Sequence, residues 1–197
     1  MRLIIVALMA AASAATALAL VGEIAISGGA SRMNKNSLGS FSDEFGRTAD
    51  VLTTTDFRLG VRLTFNNPGH FGHEVGYAYN HGNLKIGDIE YGMPVHQGMY
   101  NFLVYLLPEG SKIRPFGTGG VHFSTFYPPG ASVFYGNGVT KFGYNYGAGL
   151  KIRVSESWIA RFDYRDYVTG KPDFGLPIRG TGMLHQVEIS AGFGLAF

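Results

Sequence analysis

Between Asp56 and Asn66 every second residue is apolar: Phe57, Leu59, Val61, Leu63 and Phe65 alternate with Asp56, Arg58, Gly60, Arg62, Thr64 and Asn66. A period of two marks a β-strand with unlike faces, and no helix separates residues this way. The pattern returns from Thr140 to Val154, where Phe142, Tyr144, Tyr146, Ala148, Leu150, Ile152 and Val154 oppose Lys141, Gly143, Asn145, Gly147, Gly149, Lys151 and Arg153. It returns again from Ser157 to Arg165 and from Gln186 to Phe197. Four weaker stretches fit the same period: Leu20 to Gly28, Phe71 to Asn80, His96 to Leu106 and Ile113 to Tyr127. Leu103 interrupts the polar face of the third, and the first half of the fourth is too rich in glycine to assign. Eight strands are predicted.

Their connections alternate in length. Asn66-Asn67-Pro68-Gly69, Pro108-Glu109-Gly110-Ser111 and Ser155-Glu156-Ser157 have the composition of tight turns. The stretches from Ser31 to Val51, His81 to Val95, Pro128 to Val139 and Val168 to Met183 are long and polar, and are expected to be loops. Short turns at one end and long loops at the other suit a membrane barrel, and an even strand count returns both termini to the short-turn end.

The N-terminus sets the compartment. Arg2 precedes an uncharged run from Leu3 to Leu18 that closes on Ala17-Leu18-Ala19. Residues 1–19 therefore predict a cleaved signal peptide and 20–197 a single domain. No later stretch is long enough to cross a membrane as a helix.

Composition narrows the function classes. Charged residues make up only 15% of the 197, against about 25% in an ordinary soluble domain. A formal charge of +2 without a basic run gives no footprint for nucleic acid. The absence of cysteine excludes disulfides, thiolate metal sites and cysteine nucleophiles.

Alternation alone leaves open which face meets water, since a soluble ligand-binding barrel has the same period. Three features favour apolar side chains facing outward. The polar face is made of glycine and small residues, as a crowded lumen requires. The apolar face carries no Asp, Glu, Lys or Arg in any of the eight segments, where a basic residue would cost about 2–4 kcal/mol at the bilayer midplane. Aromatic residues, among them Phe57, Phe65, Tyr79, Phe142, Trp158, Phe193 and Phe197, gather near the ends of that face. The expected fold is an all-β, eight-stranded antiparallel up-and-down transmembrane β-barrel.

From Glu23-Ile24-Ala25-Ile26-Ser27-Gly28-Gly29 onward the chain resembles the OmpA- and OmpX-like outer-membrane barrel domain. The resemblance rests on Arg114-Pro115-Phe116 after Leu106-Leu107-Pro108, on Gly147-Ala148-Gly149-Leu150-Lys151, on Arg161-Phe162-Asp163-Tyr164-Arg165-Asp166-Tyr167 and on the terminal Phe. It implies a bacterial outer-membrane location, contact with outer-membrane lipids including lipopolysaccharide, and a monomeric state. It also implies that Phe193, Leu195 and Phe197 form the signal read by the barrel-assembly machinery. The peptidoglycan-binding domain that follows some of these barrels has no counterpart before Phe197.

On this geometry Glu23, Asp56, Arg58, Arg62, Glu74, Arg161, Asp163, Arg165 and Glu188 point into a lumen that side chains fill, so opposite charges should pair there. Arg161, Asp163 and Arg165 are expected to pair with Glu188, and Glu23 to close the seam between first and last strands. A polar plug is the first expectation, and a rearranging gate for a narrow ion pore the alternative.

Catalysis and metals have less support. The lipid A deacylase family resembles this layout and carries a His-x-Ser-Asn motif, but the matching stretch here is Asp163-Tyr164-Arg165-Asp166. His122-Phe123-Ser124 has the spacing, yet both polar residues should face the lumen. His70, His73, His81, His96, His122 and His185 lack carboxylates at metal-ligand spacing. No catalytic, cofactor or metal site is therefore assigned. The expected role is structural or surface contact through extracellular loops; a lipid A-modifying enzyme and a narrow pore are the alternatives. A barrel of this kind should migrate differently in SDS electrophoresis before and after boiling; identical mobility would exclude it.

Overall fold

The computed structural model describes residues 20–34, 37–42, 48–53, 56–86, 88–134, 136–175, 178–179 and 181–197. The signal peptide expected at 1–19 lies outside the described residues. The strands are β1 (Val21–Asn34), β2 (Ser37–Ser42), β3 (Thr48–Thr53), β4 (Asp56–Asn66), β5 (Phe71–Ile86), β6 (Ile89–Tyr105), β7 (Ile113–Phe126), β8 (Val139–Arg153), β9 (Trp158–Gly170), β10 (Ile178–Arg179) and β11 (Met183–Ala196). Eight of them close a ring, each antiparallel to its neighbours: β1 pairs β4, the chain then runs in order from β4 to β9, β9 pairs β11, and β11 returns to β1. The seam is long, from Glu23↔Ala196 to Asn34↔His185. Closure leaves no unpaired edge for hydrocarbon to meet, which is the condition for a sheet to cross a membrane.

Alternation holds along the lower part of every ring strand. Ile24, Ile26, Leu59, Val75, Tyr100, Val121, Tyr144, Phe162, Ile189 and Phe193 are exposed on the outer wall, while Arg62, Glu74, Asn101, Asp163 and Glu188 are buried inside. Leu103, out of keeping with the polar face, is buried against Tyr105 and Phe116 at the short-turn end.

Two of the expected loops are largely strand. β5 and β6 continue through the stretch from His81 to Val95, pairing up to Ile86↔Ile89. β1 runs on to Asn34, and β2 and β3 form a hairpin that joins β5 from Val51↔Ile86 to Thr53↔Leu84. The reason is a change of phase. Above the band Met33, Leu84, Met93, Val95, Phe126 and Leu184 point inward with Leu38 and Val51 as an apolar core, and Arg32, Asn34 and His185 take the outer positions of β1 and β11. The period of two persists while polar and apolar exchange faces, as expected where the outer wall passes from lipid to water. β9 and β11 also run further than predicted, to Gly170 and from Met183. The span from Pro128 to Val139 stays a loop, closed by a bridge between Ser132 and Gly136.

Glycine at the lumenal position 147 is required by close packing. A Cβ there would lie 2.2 Å from the Tyr164 carbonyl oxygen, whereas one at Gly117 would meet nothing within 4 Å. Gly147→Ala should therefore destabilise the barrel by about 1–3 kcal/mol in urea unfolding, with Gly117→Ala close to wild type. Equal effects would contradict the packing described.

Candidate functional site

The lumen is filled in layers. Its middle is a cluster of seven charges carried by the inward phase of four strands: Arg58 and Arg62 on β4, Glu74 on β5, Arg161, Asp163 and Arg165 on β9, and Glu188 on β11. Each of these side chains is at most 2% exposed. Arg62 Nη2 donates to Glu188 Oε1 at 2.6 Å and Nη1 to Asp163 Oδ2 at 3.4 Å. Arg161 pairs with Asp163 at 2.7 Å and with Glu74 at 2.6 Å. Arg165 bridges the same two carboxylates, at 2.8 Å to Glu74 and 2.9 Å to Asp163. Arg58 approaches Glu188 at 3.1 Å.

Four guanidinium groups thus meet three carboxylates. The excess cation is shared with neutral groups around Arg58. Its Nη1 donates to Asn80 Oδ1 at 2.9 Å and to Gln97 Oε1, and its Nη2 donates to Tyr167 OH at 3.0 Å. The guanidinium also lies 4.7 Å from the Tyr167 ring centroid, within cation–π range. Tyr167 passes its own proton on, donating to Glu188 Oε2 at 2.8 Å. Above this level the bonds are between uncharged groups: Gln97 donates to Ser124 Oγ at 2.9 Å and to Gln186 Oε1 at 2.8 Å, and Gln186 donates to Ser31 Oγ at 2.9 Å.

A second ion pair lies toward the short-turn end. Lys151 Nζ on β8 donates to Glu23 Oε2 on β1 and to Tyr105 OH at 2.8 Å. Asn66 joins both, donating to Glu23 Oε1 at 2.7 Å and accepting from Tyr105 OH at 2.8 Å. Below it Glu109, in the turn after β6, accepts from Arg114 and, at 2.6 Å, from Arg153. The cavity between these pairs is about 10 Å³, room for one water molecule.

The structure brings Arg58, Arg62, Glu74, Arg161, Asp163, Arg165 and Glu188 into one cluster and sets Glu23 apart from it. Two expected pairings differ. Glu188 is met by Arg58 and Arg62, while Arg161 and Arg165 pair with Asp163 on their own strand and with Glu74 across the interior. Glu23 does not close the seam with β11; it reaches across to Lys151 and Asn66. Asp56 heads β4, and its side chain lies outside the described residues. Lys151, Tyr167 and Gln97 were not anticipated in the network. The inward phase of β8 already marked Lys151 and that of the His96–Leu106 stretch marked Gln97, while Tyr167 lies two positions beyond the Ser157–Arg165 stretch.

The other sequence candidates separate cleanly. His122 is buried edge-on against Tyr167, with ring centroids 5.2 Å apart. Neither ring nitrogen of His122 has a hydrogen-bond partner, and Ser124 accepts from Gln97, so no His–Ser pair is formed. His73, His81 and His96 face outward within aromatic groups, beside Tyr100, Tyr79 and Tyr77. Among the described residues no group of three or more His, Cys, Asp or Glu could hold a metal. Phe193 and Leu195 are exposed on the outer wall of β11, and Phe197 N–H donates to Gly22 O at 2.8 Å.

Removing one partner from such a cluster leaves uncompensated charge. Arg62→Met should cost about 3–5 kcal/mol of unfolding free energy. Arg153→Met, at the partly exposed pair with Glu109, should cost at most about 1 kcal/mol. Urea titration in lipid vesicles measures both, and a small effect at Arg62 would contradict the arrangement.

The comparisons with known proteins agree with this architecture. No curated protein sequence matches the chain. The structure resembles the outer membrane protein OprG from Pseudomonas aeruginosa, with a TM-score of 0.59 and 16% identity over 89% of this chain and 96% of that one. It resembles Neisserial surface protein A, at a TM-score of 0.55 and 14% identity over 90% and 96%. It also resembles Ail, the attachment invasion locus protein of Yersinia pestis solved with the heparin analogue sucrose octasulfate, at a TM-score of 0.50 and 15% identity over 89% and 99%. At these identities the likeness shows the fold alone. The family model for the outer membrane protein beta-barrel domain matches residues 3–197, and the chain belongs to that family of bacterial outer-membrane proteins.

Proposed function

We propose that this barrel is a non-enzymatic envelope protein, closed to solutes, whose working surface is the crown of strands and loops above the membrane. The observation that carries the reading is the contrast between a filled lumen and an elaborated crown. Side chains of the charged layer and of the uncharged layer above it meet across the interior. The chain meanwhile continues β5 and β6 beyond the band, braces them with the β2–β3 hairpin and packs a separate apolar core beneath.

The crown also displays apolar groups where no lipid covers them. Phe134, in the loop between β7 and β8, is 93% exposed, with Val133 beside it; Ile89 and Tyr91 are exposed at the top of β6. Exposed apolar groups of this kind are the usual mark of a contact surface. That Ail was solved with a heparin analogue is in keeping with a contact role for a barrel of this size.

Reconstitution in planar bilayers tests the closed lumen: neither wild type nor Arg161→Ala should give stepwise conductance. Channel events from either would favour the narrow pore. Lipid A mass spectra from cells with and without the protein should coincide, and a change in acylation would favour the enzyme.

A further inference from the structure

On the outer wall a carboxylate sits where the neighbour is lipid rather than lumen. Asp166 lies between the inward-facing Arg165 and Tyr167, so its side chain takes the outer phase of β9. A tilted strand crosses the hydrocarbon in about nine to eleven residues. That span carries β9 from Trp158 at its foot to Asp166, and β1 from Gly22 to Arg32. Both residues therefore stand at the upper boundary of the band, at the level of lipid headgroups. Asp166 lies one position beyond the Ser157–Arg165 stretch, whose outer face carries no charge.

Asp166 is held on both sides. Its Oδ2 accepts from Tyr146 OH at 2.9 Å and from His185 Nδ1 at 2.8 Å, while Oδ1 is buried without a protein donor. The carboxylate side chain is 13% exposed and the imidazole 30%. With Nδ1–H committed to Asp166, the Nε2 edge of His185 is the part of the ring left to the surroundings. Register places Tyr146, Asp166, Val187 and Arg32 in one row across β8, β9, β11 and β1, with His185 beside Asn34 in the row above. Arg32 is thus a diagonal neighbour of His185, within reach of a long side chain. In the row beneath, Tyr164 and Ile189 are exposed and apolar.

We infer that Arg32 and His185 bind the phosphate of an outer-leaflet lipid, with Asp166 and Tyr146 as positioning residues for the imidazole. The guanidinium supplies directed donors to phosphate oxygens, and His185 adds one through Nε2–H when its ring is protonated, with Asp166 as the countercharge. Hydrogen bonds to ionised groups are the stronger kind, and they gain where water is thin. The apolar row below favours a lipid over free phosphate, because it offers the acyl chains a surface directly under the headgroup. The inference rests on membership of the outer-membrane family and is independent of the role proposed for the crown.

Histidine-labelled protein in detergent micelles tests it by NMR, with His185→Gln used to identify the His185 signal among the six histidines. Dihexanoyl phosphatidic acid should move that signal saturably and leave His122 in place. Dihexanoylglycerol and inorganic phosphate should not move it at the same concentrations. Arg32→Gln removes an exposed side chain and should weaken the titration at least about tenfold, while keeping the heat-modifiable band that reports a folded barrel. No shift with phosphatidic acid overturns the site. An equal shift with inorganic phosphate overturns the lipid assignment, an equal shift with dihexanoylglycerol overturns phosphate recognition, and an unchanged titration in folded Arg32→Gln overturns the role of Arg32.

Discussion

Charge cannot be left alone in a dry interior, and this constraint shapes the barrel. Seven ionised groups are buried at the middle of the lumen, each beside a group of opposite charge, and strands far apart in sequence supply most of those partners. Glu74 on β5 and Asp163 on β9 hold Arg161 and Arg165 between them, and Arg62 reaches from β4 to Asp163 and Glu188. A shifted register would turn these groups into lipid and break the cluster at once. The same contacts that fill the lumen thus select the pairing of the strands. Buried ion pairs are weak evidence for stability in themselves; their service here is to make one register far better than its neighbours.

The excess of cations deserves a physical account, since four arginines face three carboxylates. Arg58 is the group at the margin, and it is surrounded by the oxygens of Asn80, Gln97 and Tyr167 and by the Tyr167 ring. Dispersal over neutral acceptors lets the charged layer grade into the uncharged layer of Gln97, Ser124 and Gln186 above it. That layer in turn lies under the apolar core of the crown. Polarity falls step by step from the middle of the barrel to its top.

Much of this was legible in the sequence, and the reasons for the exceptions are specific. β4 was read to its end residues because its whole length lies within the membrane band, where apolar-out and polar-in never change. β5 and β6 were read short because their upper halves exchange phase: Leu84, Met93 and Val95 turn inward where the outer wall meets water. A search for constant phase reads that exchange as a loop. The inward set of charges could be named from alternation alone, but their pairing could not, because partners are chosen across the lumen by three-dimensional reach. Glu23 shows this plainly, adjoining β11 along the seam yet bonding to Lys151 on β8. Asp166 was named within the Arg161–Tyr167 motif, but its outward place went unread because it lies one position beyond the segment in which its strand had been recognised.

The most direct measurement of the sealed, ion-paired lumen is hydrogen exchange at the arginine side chains, read by NMR on protein labelled with nitrogen-15 arginine. Guanidinium protons of Arg58, Arg62, Arg161 and Arg165 should persist after transfer to heavy water long after those of exposed Arg32 have vanished. Loss of all of them at one common, rapid rate would mean that water reaches the cluster freely, and the account of a closed barrel would fail.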